Sequence, residues 1–130
     1  MARRQHHAKS ARAMELEKER LDAGPLSARF PQVSGITIRV TYYYDRPDSV
    51  LMVRTINVYP SSSSCFHLQC PLKDCTGGGF DLTRDIWELI RSGRKSGKGK
   101  MVCGGEKEAQ GPVHASISYQ ITVQYSRCAN

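Results

Sequence analysis

Residues 114–125, His114-Ala-Ser-Ile-Ser-Tyr-Gln-Ile-Thr-Val-Gln-Tyr125, carry the most regular alternation of apolar and polar side chains in the chain. Side chains in a β-strand point alternately to opposite faces, so a period of two predicts a strand that is buried on one face. The predicted buried face consists of Ile117, Tyr119, Ile121, Val123 and Tyr125.

A second alternating stretch begins at Ile36 and ends at Tyr44, and it predicts another half-buried strand. Residues 45–49 have turn chemistry, and a further strand is predicted from Val50 to Tyr59, so the two strands form a long antiparallel hairpin. Short strands are expected within residues 65–70 and 100–103, with a glycine-containing basic loop before the latter.

An amphipathic helix is predicted over residues 81–92. Its apolar positions fall at i, i+4, i+7 and i+8, and Asp81 is the expected N-cap; the apolar positions are Leu82, Ile86, Leu89 and Ile90. The order of elements predicts an α+β domain over residues 31–130, in which one helix packs on a small antiparallel sheet of four to five strands. Residues 1–30 are predicted to form a basic N-terminal extension, either helical or disordered.

The positive charge of the chain is clustered. The 130 residues contain 19 Lys and Arg against 12 Asp and Glu, a net charge of +7. Residues 1–20 and 91–100 together hold eleven of the nineteen cations. A chain of this length suits one domain. No apolar run reaches the roughly 20 residues that cross a bilayer, so we do not expect the chain to span a membrane. Clustered cations favour a polyanionic partner.

Five cysteines indicate a metal site; they are Cys65, Cys70, Cys75, Cys103 and Cys128. The first residues lack the apolar segment of a secretory signal, which predicts a cytoplasmic protein whose thiols stay reduced. An odd number of cysteines also argues against complete disulfide pairing. Thiols clustered in a reducing compartment are typical of metal ligands.

The predicted ligands of a structural Zn²⁺ ion are Cys70, Cys75, Cys103 and His114. The first two lie in Cys-Pro-Leu-Lys-Asp-Cys, whose spacing can close a loop around one ion, and structural zinc takes four such ligands. Cys65 and His67 compete with His114 for the fourth position. Cys65 lies five residues before Cys70, so an extended strand would point the two to opposite faces. The alternative is that the thiols are small buried apolar side chains without a ligand.

The function predicted from these patterns is RNA binding by a small zinc-stabilised protein, with the ribosome as one place of action, and not catalysis. The cations expected to contact phosphates are Arg3, Arg4, Arg12, Arg94, Lys95, Lys98 and Lys100. Tyr43 is the candidate for stacking on a base, because it shares a strand face with Arg39. The alternative is a protein-interaction adaptor that docks through its N-terminal helix and a sheet edge. A metal-dependent nuclease using Asp81 and Asp85 is a third interpretation.

Overall fold

The computed structural model describes residues 2–44, 50–71, 79–103 and 115–126, with side chains described from residue 11 onward except that of Arg12. The elements in chain order are α1 (Ala2–Ala23), α2 (Leu26–Arg29), β1 (Val33–Tyr43), β2 (Val50–Val58), β3 (His67–Leu68), β4 (Phe80–Asp81), α3 (Thr83–Arg91), β5 (Ser96–Val102) and β6 (Ser116–Tyr125). Among the described helices, none is long and apolar enough to cross a membrane.

Four of the strands form one antiparallel sheet in the order β2-β1-β6-β5. This confirms the predicted α+β class and the hairpin of β1 with β2, and it shows that β5 pairs with β6. The short strand predicted within residues 65–70 does not join this sheet. It is β3, and it pairs with β4 in a separate two-stranded sheet.

The hydrophobic core lies between one face of the main sheet and α3. The predicted alternation is confirmed, because the apolar positions of β1 and β6 are buried, among them Ile38, Val40 and Ile121. Ile86, Leu89 and Ile90 of α3 complete the same cluster. Removing one such side chain from water contributes about 1.5–3 kcal/mol, so the two faces together account for much of the stability.

Helix α3 begins at Thr83, two residues later than predicted. Leu82 occupies the N-cap position and is buried, while Asp81 lies one residue earlier in β4. Asp81 still accepts a hydrogen bond from the Thr83 N–H at its Oδ1 atom, over 3.0 Å. The Thr83 hydroxyl in turn accepts the Phe66 N–H at 2.8 Å, which ties the start of α3 to the segment before β3.

Residues 96–99 belong to a strand, and the prediction of a loop there is wrong. The glycines that suggested a loop lie on the core face of β5, where a side chain would collide. A Cβ atom at Gly99 would lie 2.5 Å from the Tyr119 hydroxyl oxygen, and one at Gly97 would lie 3.2 Å from Leu89 Cδ1. Glycine in a strand interior permits this close approach.

The N-terminal segment contacts the rest of the chain through the end of α1. Leu16 is buried, Ser63 donates a hydrogen bond to the Arg20 carbonyl at 2.8 Å, and His67 Nδ1 lies 3.4 Å from a Glu19 carboxylate oxygen. Leu26 and Phe30 belong to the hydrophobic core. The predicted boundary between an extension and a domain at residue 30 stays a prediction, and the core residues show that the chain before it contributes to packing.

Candidate functional site

The face of the main sheet that points away from the core and α3, called the open face below, is polar and basic. Its position follows from the register, which places Lys98 opposite Gln120 and Gln120 opposite Arg39. The next row aligns Lys100, Ser118 and Thr41. The side chains of β5, β6 and β1 thus bring cations from two separate sequence regions onto one surface.

Three of these cations line one shallow concavity of about 580 Å³. Its lining consists of Arg39, Thr41, Lys98, Gly99, Lys100, Ser118, Tyr119 and Gln120, and within the described residues it contains no carboxylate. Lys98 and Arg39 lie two strands apart, about 10 Å, and Lys98 and Lys100 lie about 7 Å apart along β5. The arrangement can bind an extended polyanion at several points.

An aromatic ring borders the same surface. Tyr43 lies opposite Ser116 in the register, yet its hydroxyl is 3.1 Å from the Ser118 hydroxyl, so the side chain leans diagonally across β6. The ring is half-buried. A ring held in this way offers a stacking surface beside the cations at a small cost in side-chain entropy.

The remaining predicted phosphate contacts divide into two groups. Arg94 lines a different concavity together with Asp85 and Glu88, so its surroundings are of mixed charge. The Arg94 Nε donates to Ser92 Oγ at 3.1 Å. Lys95, the next residue, is exposed. The side chains of Arg3, Arg4 and Arg12 lie outside the described part of α1.

Arg39 was absent from the predicted contacts, although the alternation of β1 placed it on the polar face. Its importance depends on β6 and β5 lying beside β1, which brings Lys98 and Lys100 near it. The sequence carried no signal for that strand order.

The two carboxylates considered for a nuclease both have structural partners. Asp81 accepts the Thr83 N–H, as described above, and Asp85 Oδ2 accepts the Tyr119 hydroxyl proton at 2.7 Å. Burial, together with the hydrogen bond to Asp85 and its negative charge, raises the pKa of Tyr119 to about 12. The Tyr119–Asp85 pair therefore holds α3 against the sheet through a neutral phenol and a carboxylate.

Two of the predicted metal ligands are buried at the same end of the main sheet. Cys103 follows β5, its N–H donates to the Ala115 carbonyl at 3.1 Å, and its Sγ accepts the Gly79 N–H at 3.2 Å. Cys70 is near Tyr42. Burial raises the pKa of the Tyr42 phenol, the hydrogen bond and positive charge of Arg54 lower it, and the nearby Cys70 thiol raises it further. Both thiols thus lie near the residues where β1 ends and β6 begins.

The other two predicted ligands, Cys75 and His114, lie outside the described residues, as does Cys128. The described part of the chain contains no group of three or more His, Cys, Asp or Glu side chains arranged to hold a metal ion. Of the two competitors, Cys65 lies beside the start of α3, with its Sγ 3.9 Å from Thr83 Oγ1. His67 faces Gly79, because its Nε2 lies 3.0 Å from where a Gly79 Cβ would be.

No protein-family model matches the chain, and no curated protein and no solved structure does so either. The open face and the buried thiols are therefore the features of this chain that point to a function.

Proposed function

We propose that this is a basic, cytoplasmic, non-enzymatic protein that binds RNA, ribosomal RNA included, on the open face of its sheet. The observation that carries the proposal is the shared concavity of Arg39, Lys98 and Lys100, whose described lining contains no carboxylate. Cations held close together on a surface release condensed counterions when they bind phosphates, which favours association. Arg3, Arg4 and Arg12 of α1, together with Arg94 and Lys95 just before β5, would extend the contact.

The open face suits unpaired RNA better than a duplex. Single-stranded RNA presents bases that stack on aromatic rings, and Tyr43 lies on the same face as the three cations. The Gln120 amide and the Ser118 and Thr41 hydroxyls supply neutral hydrogen-bonding groups between the cations. Such a surface would bind many sequences with modest preferences.

The test is a titration of a fluorescein-labelled single-stranded RNA of about 12 nucleotides, followed by anisotropy at several salt concentrations. The variant carries Arg39→Gln, Lys98→Gln and Lys100→Gln. For single strands the slope of log K against log salt is about −0.7 per phosphate contact, so losing three contacts reduces its magnitude by about two. The affinity at low salt falls accordingly.

The matched control carries Lys18→Gln, Arg84→Gln and Arg91→Gln, which removes the same total charge from exposed positions outside the lining of the concavity. The proposal predicts a much smaller loss of affinity for this control. Equal losses in the two variants would show that only net charge matters, and no binding by the wild type would reject the function.

The second part of the proposal is a structural Zn²⁺ ion held by Cys70, Cys75, Cys103 and His114, with Cys65 and His67 as competitors for the fourth position. Support comes from the two buried thiols at one end of the sheet. Cys103 contacts Gly79, four residues after Cys75, and Ala115, the residue that follows His114. Closed sulfur-rich sites are typical of structural zinc, which would fasten β3 and β4 to the main sheet.

Metal analysis of the purified protein tests this part. We expect about one zinc per chain, and Cys70→Ser is expected to abolish it, whereas Cys65→Ser is expected to retain it. His114→Ala and His67→Ala, compared at equal zinc supply, identify the fourth ligand. Protein that contains no zinc after expression in zinc-supplemented medium would contradict the proposal.

A further inference from the structure

The two edges of the main sheet differ in their protection against pairing with another strand. The β5 edge carries Lys98 and Lys100 together with two glycines, and charged or poorly strand-forming residues discourage pairing. The β2 edge reads Val50-Leu-Met-Val-Arg-Thr-Ile-Asn-Val58, with one charge, no proline and no glycine. In the described part of the chain no strand pairs with its outer side.

The first half of β2 is apolar on both faces and open to solvent. The exposed fractions are 58% for Val50, 43% for Leu51, 40% for Met52 and 53% for Val53. Met52 and Val53 point to opposite faces, and Leu51 lies at a β-bulge between the pairs Tyr42–Met52 and Tyr43–Val50, so this half of the strand projects past the core instead of covering it. A long exposed strand edge of this composition is an open template for β-pairing.

From these observations we propose that the protein forms a dimer, in which β2 pairs antiparallel with β2 of a second copy into a continuous eight-stranded sheet. Charge favours a second copy as the occupant. The chain carries +7, and its described cations concentrate on β5, on the open face and on the helices, whereas β2 carries Arg54 alone. Two copies can therefore approach through this edge without bringing their basic surfaces together.

The sequence of β2 also fits a two-fold axis. In a symmetric antiparallel pair, one residue lies opposite its own copy. An axis at Val53 places Val53 against Val53 of the second copy and Met52 against the aliphatic part of Arg54, and the regular pairing ends at Leu51, the extra residue of a β-bulge. Full overlap would need the axis at Arg54, where two like charges would face each other and destabilise the pair.

The interface would be small. The few regularly paired residues and their side chains bury less than the roughly 1,600 Å² of a standard protein interface, so we expect association in the micromolar range. The inference does not depend on RNA binding, and measurements in 0.5 M salt after nuclease treatment separate the two, because that salt removes nucleic acid that could bridge copies.

Sedimentation velocity of the full chain from about 1 to 100 µM tests the dimer. The expected result is a concentration-dependent shift from 14.5 kDa to twice that mass. Val53→Lys, which sets two ammonium groups against each other at the axis, is expected to raise the dissociation constant at least about tenfold. Leu51→Lys should act in the same direction, so the result does not depend on one variant.

The matched control is Val102→Lys, an exposed apolar residue of the β5 edge on the same face, which is expected to leave the dimer intact. Circular dichroism verifies that each variant is folded. A wild type that remains at 14.5 kDa up to 100 µM would overturn the inference and leave the edge to a foreign partner. The inference would also be overturned if Val102→Lys raised the dissociation constant of the dimer as much as Val53→Lys does.

Discussion

Replacement of Gly99 by alanine tests how α3 and the sheet fit together. Gly99 lies in β5 beside Tyr119 of β6, and a methyl group there would lie 2.5 Å from the Tyr119 hydroxyl oxygen and 2.8 Å from Cζ. Tyr119 is buried, so its ring has little room to move away. Relief of the collision requires the phenol to leave its position 2.7 Å from the Asp85 carboxylate.

Two costs and one gain determine the change in the free energy of unfolding caused by Gly99→Ala. Overpacking in a core costs about 1–3 kcal/mol, and loss of a hydrogen bond to a charged group costs about 1.5–3 kcal/mol, less where water replaces the partner. Against this, alanine restricts the unfolded chain more than glycine does, a gain of about 0.4–1 kcal/mol. The net expectation is a loss of about 2 kcal/mol, or about 8 °C in melting temperature for a chain of this size.

Urea denaturation followed by circular dichroism measures this loss. Gly97→Ala is the control on the same strand and face, because the nearest atom there is the movable Leu89 Cδ1 at 3.2 Å, and it should cost less than about 1 kcal/mol. In the Tyr119→Phe background, Gly99→Ala should cost less than in the wild type, since the nearest atom is gone. If Gly99→Ala is as mild as Gly97→Ala, the described packing of Tyr119 is wrong.

Three other predictions concern the core, the phenol and the metal. Ile86→Ala, in the buried face of α3, should cost about 3 kcal/mol by urea denaturation, and a loss below 1 kcal/mol would contradict the packing. The pKa of Tyr119 is raised from 10 to about 12, so its contribution to stability is complete below pH 10 and is lost as pH rises to about 12. Tyr119→Phe should make this slope in pH-dependent melting shallower, and an unchanged slope would refute the assignment. If Zn²⁺ is bound, a chelator should lower the melting temperature by about 10 °C or more, and an unchanged melting curve would contradict a structural role.

Much of the fold follows from local patterns. The period of two in β1 and β6 identified the buried faces correctly, and the spacing of Ile86, Leu89 and Ile90 identified the buried side of α3. These patterns are reliable because one buried face constrains every second residue of a strand.

The features that sequence patterns did not predict depend on packing between segments that are distant in the chain. Gly97 and Gly99 suggested a loop, whereas their role is to admit Leu89 and Tyr119, which only the folded arrangement brings near. Arg39 became part of the candidate site because β6 lies between it and the lysines of β5. Strand order depends on which distant segments pair, and periodicity within a segment carries no information on it.

The candidate metal centre, too, could be predicted from the sequence only in part. The sequence placed cysteines on both sides of the predicted helix, and the structure places Cys70 and Cys103 at one end of the sheet. Cys75 and His114 lie outside the described residues, so the ligand set stays a prediction. If zinc is bound there, it fastens β3 and β4 to the main sheet. The proposed binding of RNA at the open face does not require the metal.

A two-dimensional ¹H–¹⁵N NMR titration of the assigned protein with a single-stranded RNA of about 12 nucleotides tests binding at the open face. The largest amide shifts are expected on β5, β6 and β1 at residues of the open face, including Lys98, Gln120 and Arg39. The exposed side of α3 around Arg84 should change little. Shifts confined to α3, or spread evenly over all basic residues, would contradict binding at the open face.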